Sequence, residues 1–180
     1  MNKNVDDGHW EGCPSLQKYR INRHEYLKRA LGASLRCGNA DVQLEIFSKT
    51  SENRRADILA SGRCCGGQVA IDITVTAVNK VPERHIEECT QGFIRARADT
   101  NYIIDKRVEK KMAENAGIDY GGKFLPFVMS TGGTMNQEAF DFMDSFRKNK
   151  PKCWYQGILS MPCTLAKMRG RMWTRCLLKP

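Results

Sequence analysis

Two short apolar runs, each interrupted by a single aspartate, constrain this chain more than any other feature: Arg55-Ala56-Asp57-Ile58-Leu59-Ala60 and Val69-Ala70-Ile71-Asp72-Ile73-Thr74-Val75-Thr76. Asp is depleted in strands, and a carboxylate among Ile and Val side chains costs free energy unless something pairs with it or coordinates it. A metal ion meets that need. Between the runs, Gly62-Arg63-Cys64-Cys65-Gly66-Gly67 reads as a turn. The two strands are therefore expected side by side, with both aspartates brought to one end of a sheet.

A chain of 180 residues with 41% apolar content suits one compact domain with its own interior. No apolar run approaches the roughly 20 residues of a membrane span, and the polar start Met1-Asn2-Lys3-Asn4-Val5-Asp6-Asp7 lacks the apolar stretch of a secretory signal. The expectation is an intracellular protein, nuclear if the host is eukaryotic, with no membrane partner. Eight irregularly spaced cysteines in a chain of this size read as reduced thiols rather than a disulfide framework.

Charge is distributed unevenly. After Asp144 no acid follows, while Arg147, Lys148, Lys150, Lys152, Lys167, Arg169, Arg171, Arg175 and Lys179 carry nine positive charges, the whole of the net +9. A basic end of this kind seeks polyanions, or else serves as a solvated face. Residues 1–147 are read as an α/β domain and 148–180 as a basic extension packed on or next to it. In the extension, Leu165, Met168, Met172 and Cys176 share one helical face and Lys167, Arg171 and Arg175 line another.

Within the domain, Asn22-Arg23-His24-Glu25 has the form of a capping box, and Tyr26, Leu27, Ala30, Leu31 and Leu35 continue an apolar stripe. This predicts a helix over about 23–36. Val42 to Phe47 alternates as a strand, with Glu45 facing opposite to Leu44 and Ile46. The two aspartate strands follow. Pro82 is expected to start a long helical region, broken near Asp99-Thr100-Asn101 and ended by Gly117 and Gly121-Gly122. Phe124 to Met129 reads as a fourth strand with Pro126 at an edge position or a strand start, Ser130-Thr131-Gly132-Gly133 as a loop, and Gln137 to Arg147 as a helix on the sheet. The order helix, three strands, helices, strand, helix implies a mixed sheet of about four strands flanked by helices.

Phosphodiester cleavage needs a cation that neutralises the scissile phosphate and acidifies the attacking water, and Mg²⁺ takes one or two carboxylates plus water and phosphate oxygens. Asp57 and Asp72 supply that minimum, with the carbonyl of Ile73 and the carboxylate of Glu45 as additional oxygens. The alternative is that Asp57 faces solvent at a strand end and Asp72 is held by Thr74 or Thr76.

Ala56-Asp57 followed by Asp72-Ile73-Thr74, after a helix and a strand bearing Glu45, resembles the PD-(D/E)XK nuclease superfamily. More narrowly, the chain resembles the restriction-endonuclease-like segment downstream of reverse transcriptases in non-LTR retroelements. The matching stretches are His9 with Cys13, Arg23-His24-Glu25, Arg55-Ala56-Asp57-Ile58, Ile71 to Thr76, and Phe124-Leu125-Pro126-Phe127 leading into Thr131-Gly132-Gly133. The resemblance implies a restriction-endonuclease-like three-layer α/β sandwich that nicks target DNA using Mg²⁺ or Mn²⁺, with Asp57, Asp72 and the Ile73 carbonyl on the metal. Glu45 is a third acid. His24 and Arg55, within the resembling stretch, and Lys167, Arg171 and Arg175, on the basic face of the extension, are the expected nucleic-acid contacts, with DNA ahead of RNA. A reverse transcriptase domain or a second copy of the chain is the implied protein partner.

One position departs from the pattern. The superfamily places lysine two residues after its second acid, and this chain has Thr74 there. Members of the superfamily relocate that lysine, and the candidates are Lys106, Lys110 and Lys111. Lys80 lies six extended residues, roughly 20 Å, from Thr74. Without a lysine the domain would be a silent nucleic-acid-binding module of the same fold. His9 and Cys13 have zinc-knuckle spacing, but no CxxC precedes them, so local sequence leaves a Zn²⁺ half-site at most.

Overall fold

A four-stranded mixed sheet forms the centre of the molecule, in the order β1-β2-β3-β4. The computed structural model describes residues 17–76, 92–146, 152, 157 and 159–167. Helix α1 (Gln17–Cys37) leads into β1 (Asp41–Phe47), β2 (Arg55–Gly62), a 3₁₀ turn (Arg63–Cys65) and β3 (Gly67–Thr76). Helix α2 (Gly92–Glu114), β4 (Lys123–Ser130) and α3 (Gln137–Asp144) follow. β1, β2 and β3 are antiparallel neighbours, whereas β4 runs parallel to β3, because α2 lies on the connection between them.

The chain turns between β2 and β3 through glycines. Gly62, Gly66 and Gly67 have φ of 135°, 68° and 131°, conformations that a side chain strains. That geometry closes the hairpin and sets the register Ile58↔Ile71. Pro126, which has no N–H to donate, sits on β4 at the edge of the sheet, opposite Asp72.

Leu27, Leu31 and Leu35 of α1 pack against Ile58, Ala60, Ile71 and Ile73, together with Ala139 and Met143 of α3. Met161 and Leu165, from the expected basic extension, are buried in this same cluster. A second cluster joins Ala56, Ala70 and Tyr120, with Leu59, Ile118 and Phe124 packed against it. The architecture is α/β, compatible with three layers.

Several boundaries differ from expectation. Helix α1 begins at Gln17, so Asn22 lies inside it, and Glu25 accepts a hydrogen bond from Lys28 Nζ (2.7 Å) instead of closing a capping box. Helix α2 runs unbroken through Asp99-Thr100-Asn101. The weak helix propensity of these residues amounts to a few tenths of a kcal/mol each, less than burial of Ile104 on the same helix contributes. The predicted helix start at Pro82 lies outside the described residues, as do His9, Cys13, Arg171 and Arg175.

Leu31 is fully buried at the centre of the larger cluster. Leu31→Ala should lower unfolding free energy by about 2–5 kcal/mol, read as a reduced urea midpoint with an unchanged slope.

Candidate functional site

Strand alternation fails at Asp57. Residues two apart on a strand normally share a face, yet Ala56 packs in the smaller cluster and Ile58 in the larger one. Opposite Asp57, between the pairs Leu44↔Ile58 and Ile46↔Ala56, Glu45 has φ 59°. A left-handed non-glycine residue costs about 1–2 kcal/mol, so the neighbouring contacts must hold this kink. The described pairing of β2 with β3 also stops here, its last pair being Ile58↔Ile71. The strands part, and the Asp57 side chain fills the gap: its Oδ2 accepts a hydrogen bond from the Ile73 N–H (2.7 Å), replacing a backbone acceptor.

Helix α1 holds the same carboxylate from the other side. His24 Nε2 lies 3.1 Å from Asp57 Oδ2 and 3.0 Å from the Ile73 carbonyl oxygen. Both neighbours accept, so Nε2 carries the proton. That hydrogen bond to Asp57 holds the imidazole pKa above its usual 6.5, against the opposing effect of burial. Burial pushes the Asp57 carboxyl up, but the His24 hydrogen bond and charge and the Ile73 N–H outweigh it and leave the pKa below the usual 3.8.

Asp72 completes the pair on β3. Its carboxyl pKa is raised, first by burial and further by the charge and hydrogen-bonding contact of Asp57, with Lys111 pulling the other way. Lys111 Nζ, from the last turn of α2, lies 2.8 Å from Asp72 Oδ2. The two acids are thus near enough for each to feel the other's charge, while α1 reaches one and α2 the other. Thr74, in the position of the expected lysine, is buried and carries no charge.

The other predicted residues fall elsewhere. Lys106 pairs with Glu109 (2.6 Å) and Lys110 with Glu114 (3.8 Å), both on the exposed side of α2, so neither reaches the acids. A helical side chain one position away points about 100° around the axis, which is why Lys111 arrives and Lys110 does not. Glu45 does not stand beside the aspartates as a free third acid: it bonds Lys28 Nζ and Arg55 Nη1, the latter at 2.7 Å. Lys167 is exposed on a helical segment at 159–167.

Lys28 was not singled out by sequence. It is 3% exposed and bridges Glu25 and Glu45, tying α1 to the kinked residue of β1. Burial lowers its pKa, but the two glutamates more than restore it. The available signal was its spacing, one helical turn after His24 on the same face. Arg20 and Arg55 line a groove of about 430 Å³ with Gln17, Ile21, His24, Glu25 and Glu45. A larger cavity, about 890 Å³, lies at the far end of the β2–β3 hairpin beside Cys64 and Cys65, away from the acids.

Among the described residues no three His, Cys, Asp or Glu side chains are grouped to hold a metal ion. What the structure brings together is two adjoining sets: Asp57 with the His24 imidazole, which also meets the Ile73 carbonyl, and Asp72 with Lys111. No protein-family model matches the chain, and no curated protein matches its sequence.

Two stability effects follow. The raised His24 pKa means its contribution is complete below pH 6.5 and is lost as pH rises through the folded value. The lowered Asp57 pKa means its contribution is present above pH 3.8 and lost on acidification. Denaturant midpoints measured from pH 5 to 9 should fall for the wild type as the imidazole titrates, and the fall should be absent in His24→Gln. The raised Asp72 pKa acts oppositely to that of Asp57: stability is greatest with the carboxyl protonated and declines as it ionises. Asp72→Asn should therefore raise the thermal midpoint at pH 7, a direction scanning calorimetry reads directly.

Proposed function

We propose that this chain is a divalent-metal-dependent DNA endonuclease domain with a restriction-endonuclease-like three-layer α/β fold. The observation that carries this reading is a lysine ammonium 2.8 Å from Asp72, on the strand adjoining that of Asp57 and close enough for the Asp57 charge to act on it. Two neighbouring carboxylates disfavour each other's ionisation, a cost that a bound cation removes. Their oxygens and the Ile73 carbonyl form the hard donor set that Mg²⁺ or Mn²⁺ takes. When bound, that ion neutralises the scissile phosphate and acidifies a water.

The chain's own groups divide the remaining work. Asp57 and Asp72 hold the ion. Lys111 supplies the positive charge that Thr74 lacks: released from Asp72, it can orient the attacking water or stabilise charge on the phosphate. Arg20 and Arg55, which line the adjoining groove, would meet the nucleic-acid backbone, and the basic residues after Asp144 would add attraction independent of sequence. Hydrolysis would leave 5′-phosphate and 3′-hydroxyl ends. Target-DNA nicking for a reverse transcriptase, in a nuclear setting, rests on the sequence resemblance.

Thr74 favours a second reading, a catalytically silent nucleic-acid-binding domain of the same fold. Nicking of supercoiled plasmid in Mg²⁺ or Mn²⁺ separates the two. Asp57→Ala and Asp72→Ala should abolish cleavage, and Lys111→Ala should slow it by about 10²–10⁴-fold, while Lys106→Ala and Lys110→Ala cut at close to the wild-type rate. Cleavage that survives both aspartate substitutions would overturn the site, and salt-sensitive binding without cleavage would establish the silent domain.

A further inference from the structure

Lys111 reaches Asp72 from a weak place: the last turn of α2, where a helix runs out of backbone hydrogen bonds and frays. Successive side chains lie about 100° apart around the axis, so slippage of that turn by one residue would carry the ammonium away from the acid.

Asn115, the first residue past the helix, closes the turn. Its backbone N–H bonds the Lys111 carbonyl at 3.2 Å and the Met112 carbonyl at 3.3 Å, and its side-chain Nδ2 bonds the Lys111 carbonyl again at 2.8 Å. A carbonyl oxygen only accepts, so the amide must present Nδ2 to it and turn Oδ1 the other way. Oδ1 meets the Tyr120 hydroxyl at 2.6 Å, and the hydroxyl therefore donates. Every hydrogen bond from Tyr120 to the Lys111 backbone thus has one fixed direction.

Tyr120 is itself anchored in the sheet. It is 2% exposed, packs with Ala56 and Ala70, and stacks on Phe124 with ring centroids 5.9 Å apart. Ala56 precedes Asp57 on β2, and Ala70 lies two residues before Asp72 on β3. The strands that carry the acids therefore hold the ring that holds Asn115. Burial and the Asp72 charge raise the phenol pKa against the opposing charge of Arg54, which keeps the donated proton on the hydroxyl.

We propose that Tyr120 is a positioning residue: acting through Asn115, it holds the last turn of α2 in the rotation that delivers Lys111 to Asp72, without touching substrate itself. The inference rests on the role given to Lys111 in the nuclease reading. Lys106 and Lys110, on the same helix, pair with glutamates of that helix and stay on its exposed side.

Two measurements on the full chain separate positioning from packing, with Tyr120→Phe keeping the buried ring and removing only the hydroxyl. In proton–nitrogen correlation spectra without nucleic acid, the Lys111 ammonium, assigned as the signal lost in Lys111→Ala, should be sharp in the wild type. It should broaden in both Tyr120→Phe and Asn115→Ala, while the Lys106 and Lys110 signals stay as they are. In plasmid nicking with Mn²⁺, each variant should lose about 10–10²-fold in kcat with KM little changed, and Tyr120→Phe should cost nothing further in a Lys111→Ala background. Thermal unfolding confirms that each variant is folded at the assay temperature. A Lys111 signal as sharp in Tyr120→Phe and Asn115→Ala as in the wild type, or a nicking loss that persists undiminished without Lys111, overturns the proposal. A Lys111 signal that broadens in both variants of a chain that nicks nothing upholds the tether and sinks the nuclease reading instead.

Discussion

The Asp57 carboxylate, wedged where β2 and β3 separate, is the interaction on which the rest of the site depends. By taking the Ile73 N–H at 2.7 Å it satisfies a backbone donor that the parting strands leave without a ladder partner. An apolar residue there would leave that donor buried and unpaired, at a cost of about 1–3 kcal/mol. The same oxygen accepts from His24, so one atom serves both the parted strands and helix α1. Sheet and helix α1 are locked to each other through it.

Charge around this point is arranged in opposed pairs. His24 stabilises the ionised form of Asp57, whereas burial and the adjacent Asp57 charge hold Asp72 toward its protonated form. Two neighbouring carboxyls pushed in opposite directions are a pattern found at functional sites and in structural ion-pair networks alike. Lys111 holds Asp72 and His24 holds Asp57. Lys28, Glu25, Glu45 and Arg55 form a second ionic layer that pins the kinked strand β1 beside α1. That layer explains why Glu45, chosen from sequence as a third acid, is already engaged by two cations.

Much of this was legible in the chain. Strand-forming runs bearing a lone aspartate, a glycine-rich turn between them and a leucine stripe at helical spacing each follow from local chemistry, and each marks an element of the α/β sheet. The start of α1 was misjudged because Asn22 and Glu25 imitate a capping box, while Lys28 offers Glu25 a stronger charged partner. The unbroken α2 was misjudged because propensity is weak against burial. The choice among three lysines turned on helical phase: Lys106, Lys110 and Lys111 are equivalent in a list of residues, but only the last shares a direction with Asp72.

By itself the sequence determined which segments become strands and helices, because periodicity and glycine placement act within a few residues. It also determined that two carboxylates must find partners, since an ionised group in an apolar strand demands one. Only the tertiary structure decided who those partners are. His24 is 33 residues from Asp57, and Lys111 is brought to Asp72 by a helix packed on the neighbouring strands. Pairings of that range depend on the register of β2 against β3, on the kink at Glu45 opposite Asp57 and on the rotation of each helix about its axis, and none of these leaves a local trace in the order of residues.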